Sequence, residues 1–164
     1  MALARILIDG YSLLHAWPEI APGRARHSEA ARDELIKKLR QYRDASHTPI
    51  TIVFDGTGSK LPARRQDQVQ STPELEILYS GSGQTADDVI ERVAHRLNAY
   101  GEALVVTDDY AERDTVINFG GMASSCLNFI QTVESALAEL QHDLKRYNRL
   151  EKNQFVRPRT GKRH

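Results

Sequence analysis

Six aspartates stand where they could act as one set: Asp9, Asp55, Asp87, Asp88, Asp108 and Asp109. Asp9, Asp55 and Asp108 each close a short apolar run, and Asp87 and Asp88 open a helix-like segment. Carboxylates brought within a few ångströms repel one another, so they must take up protons, move apart or share a cation. Cys126 is the sole cysteine, and the six histidines (15, 27, 47, 95, 142, 164) are dispersed. An oxygen-only ligand set of this kind favours Mg²⁺ or Mn²⁺ over zinc. Such an ion polarises a phosphoryl oxygen, activates water and neutralises a developing oxyanion. Each acid also has an ordinary reading. Asp55-Gly56 suits a turn, Asp87 and Asp88 suit a helix start, and Asp108-Asp109 suits a cap. Only a common location would turn them into a site.

The elements around them supply that location. Arg5-Ile-Leu-Ile-Asp9, Ile50-Thr-Ile-Val-Phe54, Leu75-Glu-Ile-Leu-Tyr79 and Ala103-Leu-Val-Val-Thr107 read as strands, three of them with the continuous apolar character of strands buried on both faces. A fifth, Met122-Ala-Ser124, is short. Residues 10–27, with Gly10, Pro18, Pro22 and Gly23, read as a long connection. Helices are expected from Ser28 to about Arg43, from Ala86 to Tyr100 behind an N-cap at Thr85, from Tyr110 to Phe119, and from Ser124 or Ser125 onward. Alternating strands and helices predict an α/β fold: a three-layer αβα sandwich around a mainly parallel sheet. In such sheets ligands bind outside the carboxyl ends of the strands. That rim is where Asp9, Asp55 and Asp108 would lie, with Asp87 and Asp88 starting a helix beside them.

At 164 residues, 40% hydrophobic and 27% charged, the chain suits one globular domain. No run approaches a membrane span, and the N-terminus lacks the layout of a signal peptide, so a cytoplasmic protein is expected. The zero net charge conceals a division: residues 141–164 carry +6 and the first 140 carry −6. A globular body over 1–144 with a basic extension over 145–164 is the expected organisation. A solvated helix is the plain reading of that tail, and phosphate binding is the functional one. Gly56-Thr-Gly-Ser-Lys60 lacks P-loop spacing, Gly81-x-Gly83 lacks the third glycine of a dinucleotide fingerprint, and Cys126 reads as a core residue.

Taken in order, Leu7-Ile-Asp-Gly-Tyr-Ser-Leu-Leu14 with Ala16-Trp-Pro-Glu19, Val53-Phe-Asp-Gly56, Tyr79-Ser-Gly-x-Gly-x-Thr-Ala-Asp-Asp-x-Ile-Glu91 and Val105-Val-Thr-Asp108 resemble the YacP-like family of NYN domains. Ala111-Glu112, Gly120-Gly121, Ser124 and Phe129 follow in the same order, so the likeness spans about Arg5 to Leu140. The resemblance implies a Rossmann-like, PIN-like sandwich that binds Mg²⁺ or Mn²⁺ in an acidic pocket and cuts RNA. It implies Asp9, Asp87, Asp88 and Asp108 as metal-site and catalytic acids, with Asp55 and Asp109 supporting. Where the family carries Asn three residues after the first Asp, this chain has Ser12, a shorter hydrogen-bonding side chain.

The expected function is therefore a metal-dependent endoribonuclease acting on RNA, with ribosome-associated RNA as one substrate. Arg64, Arg65 and Arg113 are candidate backbone contacts, together with Lys145, Arg146 and Arg149 of the tail. Tyr11 and Trp17 lie near the first acid and could stack on an unpaired base, with burial of Trp17 as the plainer alternative. Two rivals remain: an RNA- or ribosome-binding module of the same fold that does not cut, and a small phosphatase or receiver-like phosphoacceptor using Asp55. The second lacks a D-x-D after the first strand.

Overall fold

The first apolar run forms β1 (Leu3–Asp9), the middle strand of a five-stranded sheet. The computed structural model describes residues 3–56, 71–81 and 83–161. The other strands are β2 (Ile50–Phe54), β3 (Leu75–Tyr79), β4 (Glu102–Val106) and β5 (Met122–Ser124). Their order is β3-β2-β1-β4-β5, and every pairing is parallel. The chain winds outward from β1 on one side and then restarts on the other. The crevice between β1 and β4 is therefore the point where such sheets bind ligands.

Side chains alternate across β1. Ile6 and Ile8 face one core with Leu35, Leu39, Phe129 and Val133, while Leu7 faces the other with Val89, Ile90, Val105 and Val116. The first face is covered by α1 (Gly10–Ala16), α2 (Glu29–Ser46) and the start of α5 (Cys126–Gly161). The second is covered by α3 (Ala86–Leu97) and α4 (Tyr110–Asn118). The three-layer α/β architecture expected from the strand–helix alternation is present.

The connection expected over residues 10–27 is not all loop. Asp9 accepts a hydrogen bond from the Ser12 backbone N–H and caps α1 directly off the strand, and a short 3-10 turn at Pro18–Ile20 follows. Leu13, Leu14 and Trp17 are buried, which anchors this segment to the first core. Trp17, 4% exposed, belongs to the packing and offers no surface for a base. Tyr11 is likewise engaged: its ring meets His27 and Phe54, and its hydroxyl accepts from Arg32.

Beyond Leu137, α5 leaves the body. Residues 138–153 are all exposed, including Leu144, Tyr147 and Leu150, and the helix runs through position 145 without a break. The candidate contacts Lys145, Arg146 and Arg149 stand on this exposed stretch. Arg64 and Arg65 lie outside the described residues. No helix among the described residues is long and apolar enough to cross a membrane.

Gly10 is where the strand turns into α1, and a Cβ there would lie 2.4 Å from the ring of Phe54, itself fully buried. Gly10→Ala should therefore lower folding stability by about 1–3 kcal/mol through overpacking. The urea midpoint reads this, and an unchanged midpoint would mean that the Phe54 ring gives way freely.

Candidate metal centre

The register of the central strands sets the site. Ile8 pairs with Val106, so Asp9 stands level with Thr107 at the carboxyl rim. Asp9 is held by Ser12, whose backbone N–H and hydroxyl both favour the charged carboxylate. Burial is the larger effect and pushes the Asp9 pKa upward, with the nearby charge of Asp87 adding to it. Asp87 is the second residue of α3, on the turn that Thr85 caps.

The third member is Glu112. One carboxylate oxygen from each of Asp9, Asp87 and Glu112 lies within 4.8 Å of the others. Glu112 is only 2% exposed. Its Oε2 accepts a hydrogen bond from the Thr107 hydroxyl at 2.8 Å, while its Oε1 is buried with no hydrogen-bond partner. Burial first, and then Asp87 beside it, push the Glu112 pKa up to about 8. Burial and the neighbouring acids thus favour the protonated form of this carboxyl over a third negative charge. No lysine or arginine among the described residues forms an ion pair with any of the three.

The donor set fits a hard divalent cation. All three candidate donors are carboxylate oxygens, and one of the three residues, Glu112, is buried. Mutual separations within 4.8 Å leave the three oxygens close enough that one small cation could be shared among them.

The other expected acids share the rim but have work at helix starts. Asp88 forms a capping box with Thr85: its carboxylate accepts from the Thr85 N–H and its own N–H donates to the Thr85 hydroxyl. Asp108 accepts from the Cys126 N–H at 2.9 Å and so caps α5. Asp109 is the N-cap of α4, accepting from the Ala111 and Glu112 N–H groups. Asp55 accepts from the Ser80 hydroxyl, which also accepts from the Gly56 N–H, and this locks the ends of β2 and β3 together. The three-carboxylate cluster thus contains Asp9 and Asp87 of the expected quartet, but neither Asp88 nor Asp108. Glu91, one turn along α3, adds to the negative field. Burial and the charges of Asp87, Asp88 and Asp109 raise its pKa. Cys126 is buried beside Asp108, and these two effects push its thiol up to about 12, which leaves it a core residue without nucleophilic character.

Sequence reasoning did not place Glu112 in the site. Asp109-x-x-Glu112 has the spacing of a capping box, in which the glutamate would reach back to the Asp109 N–H. Here that N–H donates to the Thr107 hydroxyl instead, and Glu112 turns toward the sheet. The available signal was its position four residues before the buried Val116, on the inward stripe of α4.

An all-parallel αβα sandwich with acids gathered at its switch point is a PIN-like fold. The chain belongs to the YacP-like NYN domain family, whose model matches residues 6–161. It is 28% identical over 142 residues to the uncharacterized protein YacP of Bacillus subtilis, a match covering 86% of this chain and 81% of that one. It is also similar to two crystal structures of Rae1 (YacP) from Bacillus subtilis, at 26% identity. One, of a single-residue mutant, has a TM-score of 0.72 and coverage of 89% of this chain and 84% of that one. The other has a TM-score of 0.70, with 89% and 81% covered.

The raised acids have a signed consequence for stability. A carboxyl whose folded pKa is raised contributes stability while protonated in the fold, and this is lost as pH climbs through the folded value. For Glu112 the window runs from 4.5 to about 8. The metal-free melting temperature should fall across it, and Glu112→Gln should flatten much of that fall. A metal-free melting temperature that rises over the same window would remove Glu112 from this account.

Proposed function

We propose that the protein is an endoribonuclease that hydrolyses RNA phosphodiester bonds at the Asp9–Asp87–Glu112 rim, with Mg²⁺ or Mn²⁺ as cofactor. The observation that carries this reading is the convergence of Asp9, Asp87 and the buried Glu112, one oxygen of each within 4.8 Å of the others, with no lysine or arginine among the described residues in an ion pair with them. Membership of an NYN family points the same acids toward RNA. A divalent ion supplies polarisation of the phosphoryl group and a more acidic water.

The chain's own residues do the remainder. Asp9 and Asp87 would offer anionic oxygens to the ion, and Glu112 would supply a third once deprotonated. Ser12 and Thr107 orient the carboxylates of Asp9 and Glu112 by hydrogen bonds, the kind of support that sets ligand geometry. Asp88 and Asp108 join the site as further acids of the rim, each with one oxygen occupied by a helix N-terminus. Asp55 and Asp109 support it by fixing the loops that end β2 and precede α4. Arg113 meets RNA at the rim, and Lys145, Arg146 and Arg149 meet it along the exposed helix. Arg64 and Arg65 keep the same role on sequence grounds alone. RNA held on a ribosome is one substrate this reading admits, and a cytoplasmic location accords with it.

Incubation with total RNA, with and without Mn²⁺, followed by mapping of new ends, tests the activity. New ends should require Mg²⁺ or Mn²⁺, disappear with a chelator, and not return with zinc. Asp9→Asn and Asp87→Asn should each slow cleavage by about 10²-fold or more, the scale of losing one stabiliser of transition-state charge. Cleavage unchanged in excess chelator would overturn the metal site, and metal-independent binding without cleavage would leave an RNA-binding module.

The exposed basic helix gives a separate expectation. Replacing Lys145, Arg146 and Arg149 together by Gln should weaken RNA binding and reduce the slope of log K against log salt by about 2, at roughly 0.7 per phosphate contact on single strands. Cleavage at saturating RNA should persist. An unaltered salt slope would return this helix to a solvated role.

A further inference from the structure

One large aromatic side chain stands open beside the acidic cluster. Tyr110, the first residue of α4, is 72% exposed, in contrast to the engaged Tyr11 and the buried Trp17. Its place on the helix is set by Glu112: two residues apart in one turn, Glu112 faces the sheet and Tyr110 faces out. Arg113, one turn on, lays its guanidinium over the Tyr110 ring at 4.8 Å from the centroid. The guanidinium fixes the ring's attitude while most of the residue stays in contact with solvent.

The pair lines a cavity of about 160 Å³, closed by Thr107, Asp108, Asp109 and Ser125. Thr107 belongs to both places, since it borders this cavity and its hydroxyl holds Glu112. The cavity is therefore one side chain away from the carboxylate cluster. An acidic rim by itself repels a phosphodiester. Here the approach to it carries a cation for the phosphate and a π face for a base.

We infer that Tyr110 and Arg113 form the subsite that receives an unpaired nucleotide next to the scissile phosphate, with the base stacked on Tyr110 and its phosphate against Arg113. This rests on the ribonuclease reading above and adds to it a substrate form: single-stranded RNA, whose bases can splay onto an aromatic ring, in preference to a duplex, whose bases cannot. Tyr110 is thereby a positioning and specificity residue and has no part in the bond-breaking step.

The test compares wild type, Tyr110→Phe and Tyr110→Ala in the full chain with Mn²⁺. The substrate is a single-stranded RNA with one mapped cut, used alone, annealed to its complement, and with an abasic nucleotide beside the cut. Melting temperatures should match wild type, since the side chain is exposed. Tyr110→Phe should behave as wild type. Tyr110→Ala should raise KM for the single strand about tenfold, within the range of losing one stacked base, with kcat little changed, and should narrow the preference for single strand over duplex. On the abasic substrate Tyr110→Ala and wild type should become equal. Equal KM on the intact single strand, or a tenfold difference that survives on the abasic RNA, would overturn the subsite and leave the nuclease reading standing. A wild-type protein that neither binds nor cuts any of the RNAs would overturn both.

Discussion

The pairing of β1 with β4 is the constraint on which the rest of the site hangs. Ile8 opposite Val106 puts Asp9 level with Thr107, and the Thr107 hydroxyl reaches both the Asp109 N–H and Glu112 Oε2. One hydroxyl thus starts α4 and releases Glu112 from the capping role its spacing suggests. A register slip of one residue would put Ile8 or Gly10 level with Thr107 in place of Asp9 and turn the apolar side chains of β1 to the opposite faces, since side chains alternate along a strand. The buried Ile6, Leu7 and Ile8 on two opposite faces make such a slip costly. The chemistry is therefore held in place by ordinary core packing beneath it.

Gathering acids on one rim works against folding, and the fold offsets part of that. α3 and α4 both present their N-terminal turns there, with Asp87 and Glu112 in those turns. Free N–H groups and the helix dipole favour negative charge at such ends. Asp88, Asp108 and Asp109 take up the N–H groups of three helices and anchor those helices at the same rim. The remaining repulsion falls on Glu112, whose carboxyl is pushed toward its protonated form by burial and by Asp87. The carboxylates that cap helices and those that gather in the cluster are in this way different members of one acidic group.

Much of the architecture was legible because strands buried on two faces leave an unbroken apolar run, and helices covering them leave a regular stripe. Asp9 was legible because it ends the central strand, and Asp87 because it opens a helix at the same edge. The segment after Asp9 was harder. Gly10 and two prolines suggest a loop, and what makes residues 10–16 helical is the cap from Asp9 and the burial of Leu13, Leu14 and Trp17, which local pattern does not reveal. Distinguishing Asp87 from Asp88 was beyond reach of spacing, because a cap and a ligand call for the same residue type. Glu112 was hidden for the same reason in reverse: its spacing from Asp109 matches a cap that the Thr107 hydroxyl has taken over.

The last helix begins at the acidic rim, where Asp108 caps it, and carries Lys145, Arg146, Arg149 and Lys152 in its exposed portion. At 1.5 Å per residue, Lys145 stands about 30 Å along the axis from Cys126. The Debye length in physiological salt is about 8 Å, so the two ends do not neutralise each other. A protein of zero formal charge is consequently a long electrical dipole on a stiff rod. Near a polyanion it experiences little net pull but a strong turning moment, and it meets that surface with the basic end leading and the carboxylates held back.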